Sequence, residues 1–291
     1  MDAPAAAPDW LESCRRIAAA LRAMLAERPL TSERAVVVGV GEGGDRTLVI
    51  DQLAEQLVFD ELARVHERGA EFLAISEERG EVAFGGGPLR VVIDPIDGSM
   101  NAKRGLYPHA VSIAVAAGPT MADVAIAFVC ELSAGVEWSA VRGGGARRDG
   151  VPLAVGDGER RSRQGRLELV ALEALYPRML VASGPAIERV VHRVRTFGSM
   201  AVSLCELANG HLDGMATVGP ARSVDVAAAQ LIVRESGGLV AFTAAAAPLA
   251  ATLDLAARSP VVAARTAQAL AELATLPSSV DDRLEPGARN R

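Results

Sequence analysis

An apolar run, Leu89-Arg90-Val91-Val92-Ile93, ends abruptly in Asp94-Pro95-Ile96-Asp97-Gly98-Ser99-Met100-Asn101. This junction constrains the chain more than any other stretch. The run has the length and branched content of a buried strand. Pro95 fixes its own φ and biases Asp94 towards an extended conformation, so the strand must stop in a turn. Gly98 lets the backbone approach a ligand closely and leaves free N–H groups beside the Ser99 hydroxyl. One strand end therefore gathers two carboxylates, the Ile96 carbonyl, a hydroxyl and bare amides. Hard cations such as Mg²⁺ take such oxygens, and phosphate takes such amides. Taken alone, the same residues also suit an ordinary surface turn.

Composition narrows the partners. Aromatic residues make up 3% of the chain, so the core has to be built from Ala, Val and Leu, without base-stacking surfaces. The formal net charge is −6 and no long Lys/Arg cluster occurs, so no nucleic-acid partner is expected. An acidic protein acting on an anionic substrate needs a local cation. Cys14, Cys130 and Cys205 are odd in number, widely spaced and free of CxxC pairs, which predicts reduced core thiols in a cytoplasmic protein. Met1 to Pro8 shows neither the basic nor the apolar region of a signal peptide. The longest apolar stretch, Ala110 to Cys130, is broken by Gly118-Pro119 and Asp123 and reads as two strands, so no membrane span is expected.

Along the chain, an Ala/Pro tail to residue 8 precedes a helix capped by Asp9 and Glu12, with Trp10, Cys14, Ile17, Leu21, Met24 and Leu25 on one side. Gly39 to Asp45 reads as a flexible loop, and a helix follows from about Thr47 to Arg68, with Leu53, Leu57 and Val65 apolar. A short strand, Glu71–Ser76, ends at Glu77-Glu78. Two strands, His109–Ala117 and Ala122–Leu132, lead to the glycine hairpin at 142–146. His109, with no acid partner in sequence, reads as structural. The polar stretch 155–166 marks a junction between a unit at 1–155 and a unit at 156–291. Beyond it the pattern predicts a strand at Leu167–Leu172, a helix around Pro185–Arg193 and a helix opened by Gly198-Ser199-Met200 and running to Asn209. A strand at His211–Val218 and a helix at Ser223–Ser236 follow. Strands at Leu239–Thr243 and Val261–Ala264, a helix near Thr266–Thr275 and a loose tail from Pro277 close the chain. The N–H groups after Gly198 form a candidate anion contact, with simple capping by Ser199 as the alternative.

Three motifs stand in order: Ser76-Glu77-Glu78-Arg79-Gly80, the Asp94 turn, and Ser223-Val224-Asp225-Val226-Ala227-Ala228-Ala229 with Glu235-Ser236-Gly237-Gly238. Together they resemble the inositol monophosphatase superfamily, from about Asp45 to about Leu270. The resemblance implies an α+β or α/β fold, a layered α-β-α-β-α sandwich of the sugar-phosphatase type in two subdomains with the site between them. It implies a homodimer and two or three Mg²⁺ ions, with Mn²⁺ able to substitute. In that scheme Glu77, Asp94 and the Ile96 carbonyl hold a first metal, and Asp94, Asp97 and Asp225 hold a second. Glu77 and Ser99 orient the attacking water, and Asp51 faces the hydroxyl and helps hold an additional metal. The Gly98 and Ser99 amides hold phosphate, and Gly198, Ser199 and Met200 touch substrate. An aspartate in the first turn of a helix, such as Asp51 or Asp225, is also explained by the helix dipole alone.

The chemistry agrees with the resemblance. Phosphate monoesters hydrolyse so slowly that catalysts must supply rate factors approaching ~10²¹, and a metal pair can hold the attacking and leaving oxygens together. Four carboxylates, Glu77, Asp94, Asp97 and Asp225, are too many to bury together without cations, since each would need partners or would protonate. The expected activity is Mg²⁺-dependent hydrolysis of an inositol or sugar phosphate, such as inositol 1-phosphate or fructose 1,6-bisphosphate. A 3′(2′),5′-bisphosphate nucleotidase and a catalytically inactive binding relative are the alternatives. Val218 stands where inositol-specific relatives carry a glutamate, and Ser76-Glu77-Glu78 with Asn101-Ala102-Lys103 resembles the bifunctional inositol-1-phosphate/fructose-1,6-bisphosphate branch. Arg222, three residues before Asp225, is expected to reach over the pocket mouth and read a distal phosphate.

Overall fold

The computed structural model describes residues 9–278 apart from 30, 35, 41–45, 155 and 157. The tail before Asp9, positions 41–45 of the expected loop, residue 155 of the expected junction and the chain beyond Ser278 lie outside the described residues. Helix α1, Trp10–Ala26, buries the expected side. Asp9 caps it by accepting from the Glu12 N–H at 3.1 Å, but Glu12 turns to Arg16 and completes no capping box. After the single turn α2, Thr31–Arg34, strands β1, Val37–Val40, and β2, Arg46–Leu48, pair antiparallel where a loop and a helix start are expected. Helix α3 therefore starts at Val49 and runs to Glu67. Its buried stripe is Ile50, Ala54, Val58, Leu62 and Val65, while Leu53 and Leu57 are half-buried at the rim.

Eight strands form the first large sheet: β3 Phe72–Ser76, β4 Gly80–Phe84, β5 Leu89–Asp97, β6 Ala110–Ala116, β7 Val124–Glu131, β8 Glu137–Val141, β9 Gly145–Arg148 and β10 Val151–Pro152. Their order is β10-β9-β8-β7-β6-β5-β3-β4, and only the β3–β5 pair is parallel. Strand β4 is not anticipated by the sequence reading. Alternation along β5 and β6 sends Val91, Ile93, Val111, Ile113 and Val115 to the side of α1 and α3. Val92, Ala110, Ala114 and Ala116 go to the opposite side, where their small side chains let a helix approach closely.

That helix is α7, Ser223–Glu235, and every residue from Ser223 to Val233 is buried. A helix apolar on all sides belongs inside a protein. With α6, Met200–Ala208, it fills the layer between the first sheet and a second. The second sheet comprises β11 Leu167–Glu173, β12 Val191–Arg195, β13 Gly214–Thr217, β15 Leu239–Phe242 and β17 Val261–Ala264, in the order β12-β11-β13-β17-β15. Helices α5, Pro177–Val190, and α8, Ala267–Leu273, pack on its outer side. A separate pair, β14 Ala221–Arg222 and β16 Arg258–Ser259, braces the entry to α7. The result is the expected five-layer α-β-α-β-α arrangement, completed near the first sheet by the short α4, Ser99–Arg104.

One helix is displaced from its expected place. Pro177 starts α5 at the position where a missing N–H costs nothing, and Pro185 lies inside the helix. Residues 191–195 are the edge strand β12, not a helix end. Cys14, Cys130 and Cys205 are free and buried, and no described helix is long and apolar enough to cross a membrane.

Candidate metal and phosphate site

Because β3 and β5 run parallel, with Ser76 opposite Ile93, the residues that follow each lie at the same end of the sheet. Glu77 begins the three-residue turn into β4, and Asp94 follows Ile93 within β5. Helix α7 contacts β5 from the middle layer and contributes Asp225 in its first turn. One carboxylate oxygen from each of Glu77, Asp94 and Asp225 lies within 4.8 Å of the other two. Residues up to 148 positions apart in sequence thus meet at one point.

Asp94 and Asp97, three residues apart, would point to opposite faces of a regular strand. The pairing with β6 shifts between them: Asp94 faces Ser112 and Asp97 faces Ala110. Three steps on β5 match two on β6, which is a bulge of one residue, and the extra residue returns both aspartates to the α7 side. Ile96, inside the bulge, donates its N–H to Asp94 Oδ1 at 2.9 Å.

Burial and neighbouring charge raise the pKa of Glu77, Asp94 and Asp97. Burial, then repulsion from Glu77, Asp97 and Asp225, pushes Asp94 well above the ordinary aspartate value. Burial pushes Glu77 up to about 7 against the pull of Arg222, with Asp225 adding to the rise. Asp97 is likewise pushed up to about 7, by burial and by Asp225.

The guanidinium of Arg222 lies among these acids. Its Nη1 donates to Glu77 Oε1, its Nη2 to Asp225 Oδ1 at 3.2 Å and its backbone N–H to Asp225 Oδ2 at 2.9 Å. The sequence reading has this side chain reaching over the pocket mouth. Instead, Arg222 is the N-cap residue of α7, and its hydrogen bonds to Asp225 turn it inward.

At the Gly198 turn the capping alternative holds, with Ser199 as the N-cap of α6. Ser199 is 1% exposed and donates to Asp97 Oδ2 at 2.5 Å. The N–H groups of Met200 and Ala201 donate to Asp97 at 3.3 and 2.7 Å, and that of Val202 to Ser199 Oγ. The anion at this helix start is therefore Asp97 itself, and none of these donors is left for a ligand. Gly198 is exposed and Met200 half-buried. Gly98 sits at φ +89°, and a Cβ on it would lie 2.9 Å from the Gly198 carbonyl oxygen, so the two turns pack backbone to backbone. Ser99 is exposed at the start of α4. Asp51 lies half-buried in the first turn of α3, outside the cluster of three carboxylates.

Three supporting roles are not read from the sequence. Glu173, 2% exposed, accepts from Phe197 N–H, Gly198 N–H and Ser203 Oγ at 2.8, 3.1 and 2.7 Å. Asn101 donates to the carbonyls of Pro108 and Phe197 and ties α4 to the same turn. Glu55 accepts from Ser76 Oγ and from the Glu78 and Arg79 N–H groups, which fixes the turn carrying Glu77. A glutamate on the buried stripe of α3 is the one signal that points to Glu55. His109 is buried against Leu106 and Ser133, as a structural residue would be.

Glu77, Asp94 and Asp225 form an all-oxygen donor set whose mutual repulsion is relieved, among the described residues, by the Arg222 guanidinium. Such a set fits a hard divalent cation. Residues 10–278 match the model of the inositol monophosphatase family. The chain is 31% identical over 235 residues to a fructose-1,6-bisphosphatase/inositol-1-monophosphatase of Archaeoglobus fulgidus, covering 80% of this chain and 84% of the relative. A protein of the same description from Methanothermobacter thermautotrophicus is 32% identical over 222 residues, covering 72% and 76%. A solved Pyrococcus horikoshii structure, described as having similarities to inositol-1 monophosphatase, shares the fold. Its TM-score is 0.72 at 22% identity, over 92% of this chain and 99% of that one.

Proposed function

The chain belongs to the inositol monophosphatase family and is a phosphatase, and on that premise we propose that it hydrolyses an inositol or sugar phosphate with Mg²⁺. The convergence of Glu77, Asp94 and Asp225 within 4.8 Å carries the reading. Glu77, Asp94, the Ile96 carbonyl, Asp97 and Asp225 would hold the metal. When bound, Mg²⁺ supplies charge against the phosphoryl oxygens and acidifies a water. Gly98 and the exposed Ser99 offer the amides and hydroxyl that orient the phosphate and that water. Asp97 fixes the start of α6 against the strand end, which keeps the substrate-side turn in register with the acids. The sugar faces Gly198 and Met200, and the buried Val218 presents no carboxylate to ring hydroxyls. This disfavours strict specificity for an inositol ring, in keeping with the bifunctional names of the archaeal relatives.

Phosphate release from inositol 1-phosphate, fructose 1,6-bisphosphate and 3′-phosphoadenosine 5′-phosphate, with Mg²⁺ or with EDTA, tests the proposal. The expected result is Mg²⁺-dependent release from one or both of the first two. Release from the nucleotide alone would replace the substrate assignment with a nucleotidase, and release undiminished by EDTA would overturn the metal assignment.

A further inference from the structure

Arg222 ends β14, a strand held by the Ala221–Ser259 and Arg222–Arg258 pairing with β16. From there its side chain, 22% exposed, bridges Glu77 and Asp225. One guanidinium thus occupies two of the three carboxylates that converge for a cation. A guanidinium only donates, so it satisfies the same oxygen lone pairs that a metal would take. Mg²⁺ demands close, near-octahedral oxygen contacts, which the Glu77 and Asp225 oxygens cannot give while they hold Arg222. The side chain also has somewhere to go. Arg222 and Ser223 line a cavity of about 190 Å³ with Met121, Phe242, Thr252 and Ser259, and none of the three carboxylates lines it. Arg222 therefore touches both the acid cluster and an open space.

We propose that Arg222 is a resident counter-cation that competes with the divalent metal for Glu77 and Asp225, withdrawing towards this cavity as the metal enters. Resting on the metal reading above, it makes Arg222 the residue that sets the cation concentration at which the site fills. A hydrogen bond that merely oriented a metal ligand would have the opposite consequence, since removing such support weakens metal binding. Removing a competitor strengthens it. In the metal-free protein the same side chain offsets repulsion, so its loss should destabilise that form alone.

The test is calorimetric titration of Mg²⁺ into the full chain, with thermal melting in EDTA and in saturating Mg²⁺, for wild type, R222Q and R222K. R222Q should bind Mg²⁺ about tenfold tighter or more, and its melting temperature in EDTA should fall by roughly 2–4 °C. R222K keeps the charge but cannot bridge both carboxylates, so it should bind a few-fold tighter. It reads the competition even if R222Q fails to fold. Equal or weaker binding by both variants would overturn the inference while leaving the metal reading intact. A wild type that shows neither heat nor a melting shift with Mg²⁺ would remove the metal reading itself, and the inference with it.

Discussion

Asp94 sits at the centre of the acid cluster, with Glu77, Asp97 and Asp225 all raising its pKa. Asp94→Asn removes one charge from a crowded, buried set while keeping the shape. Turnover with Mg²⁺ should fall to background, since both expected metals share this carboxylate. The metal-free protein should melt at an equal or higher temperature because repulsion is relieved. Phosphate release and melting in EDTA check the two halves, and near-normal turnover in saturating Mg²⁺ would defeat the assignment. At this scale the meeting of Glu77, Asp94 and Asp225 was legible. Asp94, Asp97 and Asp225 lie at a strand end and a helix start, where a carboxylate has a reason to be. The direction of Arg222 was not legible, because it depends on contacts with Glu77, 145 residues away.

Between the residue and the whole lie the turns that join elements. The Gly198 turn is held by Glu173 from β11 and by Asn101 from α4, and neither partner is near it in sequence. Glu173 is an acceptor facing three donors. Glu173→Gln sets an amide N–H₂ against at least one of them and should cost about 1–3 kcal/mol in chemical denaturation. A loss confined to a few tenths would show that the turn does not depend on this carboxylate. The same scale explains the misplaced elements. The bulge in β5 is visible only once β6 is paired with it, the β1–β2 hairpin needs both of its halves, and α5 is set by Pro177 rather than by the apolar pattern around Pro185. In contrast, α7 lies where the sequence places a helix, Ser223–Ser236, and it is buried from Ser223 to Val233.

Over the whole molecule, the buried acids shape how stability depends on pH. Glu77 and Asp97 are pushed up to about 7, and burial also raises Asp94, Glu55 and Glu173. An unfolded chain releases these protons near pH 4. Below that value both states hold them, and the groups' contribution to stability is fully present. Between about 4 and 7 the folded state holds protons that the unfolded state has lost, so stability falls as pH rises, and it levels once the folded groups have ionised. Glu61, Asp254 and Glu272 act the other way, their hydrogen bonds and charged partners outweighing burial. Their contribution is lost only as pH falls through their lowered values, below this window. The metal-free protein should therefore melt highest near pH 4–5 and progressively lower towards pH 7. Saturating Mg²⁺ should flatten or reverse that slope, because a cation takes the deprotonated acids. Melting curves from pH 4.5 to 8 in EDTA and in Mg²⁺ decide the matter. A melting temperature that climbs with pH in EDTA would mean the acids are already neutralised in the folded protein by something other than protons.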